Sequence, residues 1–179
     1  MHQPKRAEKG DLEQLYQRLK QYRTAMFTTV GKGGHIHSRP METQEREPDG
    51  DLWFVTSKKT LKVDELGENP NVGIIYFRDG DSSYISIAGT ARIEDDPALI
   101  RSKWKEDWRV WFGEGPESPD ICLIKVAVDE AEYWQPEGGT LRVMFEAARA
   151  YVTGGHPELN EPERIVAGPK PDREFIDPA

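Results

Sequence analysis

Between Met26 and Trp134 the chain is a succession of short β-rich runs separated by turn signals, and this spacing limits its fold more than any other feature. Met26–Val30 meets the turn Gly31-Lys32-Gly33-Gly34, and His35–Thr43 continues extended, which reads as a hairpin. Pro48-Asp49-Gly50 is a second turn, leading into the strand Asp51–Thr56. Val72–Phe77 is continuously apolar, and Asp79-Gly80 turns the chain into Ser83–Ile93, where Gly89 suggests a bulge or a close backbone approach. Ile121–Val128 and Ala131–Trp134 read as two further strands. Helices are expected mainly at the ends. Asp11–Tyr22 carries Leu12, Leu15, Tyr16 and Leu19 at helical spacing, and Thr60–Gly67 is a short helix with Thr60 as N-cap. Asp96-Pro97 opens a helix through Trp108, and Leu141, Met144, Phe145 and Ala148 give one more. The order predicts a mainly β fold, an antiparallel barrel with peripheral helices. A Rossmann arrangement is excluded, because neither G-x-G-x-x-G nor regular β-α-β alternation is present.

Length and charge narrow the function classes. A chain of 179 residues suits one domain, placed at 10–153, with the Pro-, Glu-, Arg- and Gly-rich stretch 154–179 as a loose tail. A net charge of -8 and a pI near 5.1 argue against general nucleic-acid binding, which needs a basic face. No apolar run approaches the roughly 18 to 20 residues of a membrane span. Met1 to Gly10 has no apolar signal region, so a cytoplasmic, soluble protein is expected. Cys122, in the apolar run Ile121-Cys122-Leu123-Ile124, reads as a buried, inert thiol. His35 and His37 alternate on a strand, but with no CxxC or HExxH they complete no metal site. No residue shows an evident acid, base or nucleophile pattern, and none is assigned as catalytic.

Two segments carry chemistry. Val55-Thr56-Ser57-Lys58-Lys59-Thr60-Leu61-Lys62 places three hydroxyls and three lysines where a strand passes into a helix. Cations, hydroxyls and the free N–H groups of a helix start together suit a phosphate; a lysine-rich surface turn is the plainer reading. Ser38-Arg39-Pro40-Met41 is a second segment that offers a cation. Trp104, Trp108 and Trp111 are spaced by four and three, so on a continued helix they share a face. They read either as core or subunit interface, or as a stacking platform over a flat ring.

The run from Val55 to Gly89 resembles the flavin-binding core of the pyridoxamine 5'-phosphate oxidase-like split barrels. The resemblance rests on V-T-S-K-K-T-L-K, a short helix, Asn69-Pro70, an apolar strand, the Asp79-Gly80 turn and the strand to Gly89. Trp111-Phe112, the Gly/Pro loop, Asp120, Leu123-Ile124-Lys125-Val126 and Ala131-Glu132-Tyr133-Trp134 resemble its bacterial general stress protein branch. The resemblance implies a six-stranded antiparallel split β-barrel that forms a homodimer, with FMN sites at the subunit interface. It implies that Arg39, Pro40 and Met41 line the ribityl-phosphate and ring side, that Val55 and Thr56 lie along the ring, and that Thr60 and Lys62 hold the phosphate, with Ser57 beside them. Tyr84 falls where the oxidases have a glutamine that reaches FMN across the dimer, and Trp111 is taken as a lid. The oxidases have a second basic residue where this chain has Leu61, and a basic, histidine-containing end that is missing here, so pyridoxamine phosphate oxidation is not expected. The functional expectation is a flavin-dependent oxidoreductase of unknown substrate or a non-catalytic flavin-binding protein, with FAD or the deazaflavin F420 as alternative cofactors.

Overall fold

The computed structural model describes residues 9–44, 50–134 and 163–166. Helix α1 (Lys9–Leu19) precedes the hairpin β1 (Thr24–Val30) and β2 (Ile36–Glu42). Then come β3 (Leu52–Ser57), α2 (Leu61–Glu68), β4 (Asn71–Arg78), β5 (Ser83–Glu94), α3 (Pro97–Lys103), β6 (Ile121–Trp134) and β7 (Glu163–Val166). The strands form one antiparallel sheet in the order β2-β1-β4-β5-β6-β3, with β7 added on β6. The two ends of that order meet again, since Thr43 bridges Phe54 and the Gln44 amide donates to the Trp53 carbonyl at 2.8 Å. The sheet thus curls into a split barrel.

Alternation along the strands divides the apolar side chains into two layers. Inside the curl, Phe27, Phe54, Ile74, Ile85, Ile87, Ile124 and Val126 pack together, with Leu15 and Leu19 of α1 covering one end and Leu66 of α2 joining them. Burying each such side chain is worth about 1.5–3 kcal/mol. Outside, Trp53, Ile121 and Leu123 meet Ile100, Trp108 and Phe112 beneath α3 and the turns that follow it.

Several boundaries differ from the sequence reading. The helix opened by Asp96 stops at Lys103, and a separate 3₁₀ turn spans Glu106–Val110. The three tryptophans therefore do not share a face. Trp108 is buried in the outer layer, Trp104 packs at its edge, and Trp111 is 81% exposed. Burial of Trp108 and Ile100 in one cluster takes precedence over a straight helix. The two expected strands at the end of the sheet are one strand, β6, with Asp129 as the extra residue where the register slips opposite Ala88 and Gly89. Glu163–Val166, within the stretch read as a loose tail, pairs antiparallel with Glu130–Tyr133. The turn residues Pro48 and Asp49, the helix carrying Leu141, Met144, Phe145 and Ala148, and the rest of the tail lie outside the described residues.

Gly89 explains itself at the bulge. A Cβ there would stand 2.7 Å from the Ala127 carbonyl oxygen and 2.8 Å from a Val126 methyl. The backbone of β6 cannot retreat without breaking the ladder. Gly89→Ala is therefore expected to destabilise the fold by about 1–3 kcal/mol, read as a lowered urea midpoint with an unchanged slope; an unchanged midpoint would show that the bulge can relax.

Candidate functional site

Arg39 projects from β2 into the end of the barrel, because its strand neighbours across the hairpin, Phe27 and Thr29, point inward. Thr56 reaches the same end from β3, and α2 begins five residues later. Lys62, on the first turn of α2, donates to the Thr56 hydroxyl at 2.9 Å, and the Thr56 and Thr60 hydroxyls lie 3.4 Å apart. Thr60 occupies the N-cap position, but its hydroxyl donates back to the Ser57 carbonyl at 2.8 Å instead of capping the helix. The amides of the first turn are thus left without a side-chain cap.

Lys62 is half-buried and, among the described residues, has no carboxylate at ion-pair distance. Burial lowers its pKa, and the nearby positive charge of Arg39 lowers it further. Two cations therefore stand in each other's field with hydroxyls around them. An anion placed between them would relieve both effects.

Beside this pair lies a carboxylate that the sequence reading missed. Glu65, one turn beyond Lys62, is only 4% exposed. It accepts hydrogen bonds from Thr29 Oγ1 at 2.5 Å, from Arg39 at 3.1 Å and from His37 Nδ1. Arg39 also donates to the Thr29 hydroxyl at 2.6 Å. Burial pushes the Glu65 carboxyl up, and the hydrogen bonds from Thr29, His37 and Arg39 overcome it, holding the group below the usual carboxylate range. Gly31 lets the hairpin tip close over this cluster, since a Cβ there would come 3.0 Å from Glu65 Oε1 and 3.3 Å from the His37 ring. The only hint in the sequence was positional: Lys62, Glu65 and Leu66 fall on one helix face, and Leu66 is apolar. Glu65's partners lie 26 to 36 residues away, beyond any local pattern.

The remaining expected site residues separate into groups. Met41 is in the inner core, and Val55 packs against the outer layer. Ser57 and Trp111 line an open cavity of about 350 Å³ with Phe112, Gly113, Glu114 and Asp120. Pro40 and Tyr84 lie on the outer sheet surface, where Tyr84 stacks on Phe77 at 4.7 Å. One chain therefore assembles Arg39, Thr56, Thr60 and Lys62, but not Pro40, Tyr84 or Trp111, around the same point. Cys122 is fully buried, and burial pushes its thiol up to about 11, in keeping with an inert residue. His37 serves Glu65; among the described residues no group of three or more His, Cys, Asp or Glu could hold a metal.

Residues 10–158 match the model of the family described as pyridoxamine 5'-phosphate oxidase like. The chain belongs to this family. General stress protein 26 of Bacillus subtilis is 31% identical over 117 residues, covering 63% of this chain and 79% of that protein. A solved Jannaschia sp. CCS1 protein described as a general stress protein 26 superposes with a TM-score of 0.65 at 28% identity, covering 88% of this chain and 99% of that one. The general stress FMN/FAD binding protein of Xanthomonas citri superposes with a TM-score of 0.60 at 30% identity, covering 72% and 90%. Within the oxidase-like family this chain is a relative of general stress proteins, and the Xanthomonas citri neighbour is described as FMN/FAD binding. Leu61, where the resemblance leads one to expect a second basic residue, is 60% exposed at the first position of α2. The cationic character of this corner therefore rests on Arg39 and Lys62. No helix among the described residues is long and apolar enough to cross a membrane.

The depressed Glu65 pKa has a defined consequence for stability. A carboxyl held below its ordinary value of 4.5 stabilises the fold fully above that pH, and the contribution is lost as pH falls through the lower folded value. Asp81, held low by its hydrogen bonds from Arg78, titrates in the same direction, so the wild type must be compared with Glu65→Gln. The stability difference between the two is expected to be constant near pH 7 and to shrink below about pH 4.5 in denaturant unfolding. A difference that stays constant down to about pH 3 would rule this out.

Proposed function

We propose that the chain is a cytoplasmic, homodimeric FMN-binding protein of the general stress type, acting as a flavin-dependent oxidoreductase on an unidentified substrate. The observation that carries the reading is the half-buried Lys62 ammonium beside Arg39, bonded to a hydroxyl and lacking a carboxylate of its own among the described residues. Such a site fits a phosphate monoester: two cations, the Thr56 and Thr60 hydroxyls, and the uncapped start of an eight-residue helix. The flavin would supply the electron transfer when bound. Arg39 and Lys62 would hold its phosphate, and the barrel end would exclude water from one side of the ribityl chain. The FMN/FAD description of the Xanthomonas relative supports a flavin, and FMN is the reading, with FAD or F420 as alternatives.

The outer sheet surface supports the dimer. Pro40 pairs with Met26, Met26 with Ile75, and Phe77 with Tyr84, so these residues form adjacent rows across β2, β1, β4 and β5. Met26, Ile75, Phe77 and Tyr84 are each between 42% and 50% exposed. A second copy covering this face would bury the rows and bring Pro40 and Tyr84 toward a cofactor held at the interface. A non-catalytic flavin-binding role is the second reading, favoured by one fact. The buried carboxylate of this corner, Glu65, already accepts three hydrogen bonds and is not free to move a proton.

Purified protein is expected to retain FMN with shifted flavin absorbance bands, and mass spectrometry of the released cofactor would separate FMN from FAD and F420. Lys62→Ala should weaken FMN binding roughly ten- to hundredfold, the cost of one charged hydrogen bond to phosphate. Unaltered affinity would remove Lys62 from the site. Steady turnover of NAD(P)H by the holoprotein favours the enzyme, while tight binding without turnover favours the binding module. Ile75→Asp is expected to convert a dimer to monomers in light scattering and to weaken FMN binding with it; a monomeric wild type would overturn the interface.

A further inference from the structure

Glu65 is the node where β1, β2 and α2 meet, and its relation to Arg39 is more specific than that of a structural staple. Arg39 gives one terminal nitrogen to the Thr29 hydroxyl and the other to Glu65 Oε2, while Thr29 itself donates to the same oxygen. The three side chains close a ring that restrains the guanidinium on its long stem. A guanidinium carries five N–H groups, so the ring leaves most of its donors uncommitted and pointing from a defined plane. The other Glu65 oxygen is taken by His37, and Gly31 packs close behind it, so the carboxylate cannot shift to follow the arginine.

Arg39 needs such an anchor. It stands next to Lys62, and two like charges at a barrel end repel each other. Without Glu65, only the Thr29 hydroxyl among the described residues would hold the guanidinium beside the ammonium, and the Arg39 side chain is partly open to solvent. His37 faces the node from β2, Thr29 from β1 and Lys62 from α2, and none of them can replace a carboxylate as acceptor for Arg39.

We propose that Glu65 is the positioning residue of the phosphate subsite, holding Arg39 in the place and plane from which it and Lys62 grip the ligand's phosphate. The proposal rests on the flavin-phosphate reading above. It assigns Glu65 a role in selecting phosphorylated flavin, although Glu65 carries the same sign of charge as the ligand and does not touch it.

The sign of the effect separates this from the other roles a buried carboxylate can have. If Glu65 were only a negative charge near the anion, Glu65→Gln would tighten FMN binding. Were it only a staple between α2 and the hairpin, binding of FMN and of riboflavin, which lacks the phosphate, would weaken together. As a positioning residue it should weaken FMN alone. The carboxamide keeps the shape and an acceptor oxygen but loses the charge, so the charge-assisted bond that anchors Arg39 is weakened.

The test is a fluorescence titration of full-length wild type, Glu65→Gln, Arg39→Ala, the double variant and Lys62→Ala with FMN and with riboflavin. Glu65→Gln is expected to lower FMN affinity about tenfold and to leave riboflavin affinity unchanged. Because Glu65 acts through Arg39, it should cost nothing further in the Arg39→Ala background. Equal losses for both flavins, tighter FMN binding, or additive losses in the double variant would each overturn the proposal. If Lys62→Ala shifts the FMN-to-riboflavin ratio while Glu65→Gln does not, the phosphate reading stands and the positioning role falls. If wild type binds FMN no better than riboflavin, both fall. Should Glu65→Gln fail to fold, Thr29→Val removes the other contact that fixes Arg39 and must shift the same ratio in the same direction; an unshifted ratio would again overturn the assignment.

Discussion

The closure of the sheet on itself is the constraint on which the site depends, and a buried carboxylate secures it. Strands β2 and β3 stand at opposite ends of the hydrogen-bonded order, so nothing in the ladders alone joins them along their length. At one point the backbone does so through the Thr43–Phe54 bridge. Elsewhere the link runs through the helix that follows β3: Glu65 of α2 takes hydrogen bonds from His37 and Arg39 of β2 and from Thr29 of β1. A buried charge is costly unless its hydrogen bonds are made, and removing one partner of such a pair leaves the other exposed to that cost. The helix can therefore dock in one register, and that register brings Lys62 to Arg39.

The same geometry explains why the expected site residues divide as they do. Strand alternation sends Arg39 and Met41 inward and Pro40 outward, although they are consecutive. It likewise sends Thr56 into the barrel end while Val55 faces the outer layer. A planar ring contacted by residues from both faces of a sheet needs more than one chain, or contact with the backbone rather than side chains. The exposed rows through Met26, Ile75, Phe77 and Tyr84 supply a surface of the kind a second copy would cover.

Trp111 lines the cavity beside Ser57 and not the corner of Arg39 and Lys62. The loop after α3 is held down by Trp108 and Phe112 in the outer layer, and Trp111 points away from it into solvent. The aromatic cluster is thus mainly packing, with one ring left over. Membership of the oxidase-like family accounts for the fold.

What the sequence determined by itself is local. Turn residues and alternation marked the hairpin, Gly89 and the strands, because these depend on neighbours in the chain and on the steric demands of single residues. The V-T-S-K-K-T-L-K run marked a strand-to-helix junction rich in cations, for the same reason. Only the tertiary structure decided which of those cations has a carboxylate, which tryptophan is buried, and that β6 is one bulged strand. Glu65 and its three donors are separated by 26 to 36 residues, and their meeting follows from how the sheet curls and closes. Local pattern reports on backbone preference and amphipathicity; a buried charge finds its partners through the packing of the whole chain, which no short window contains.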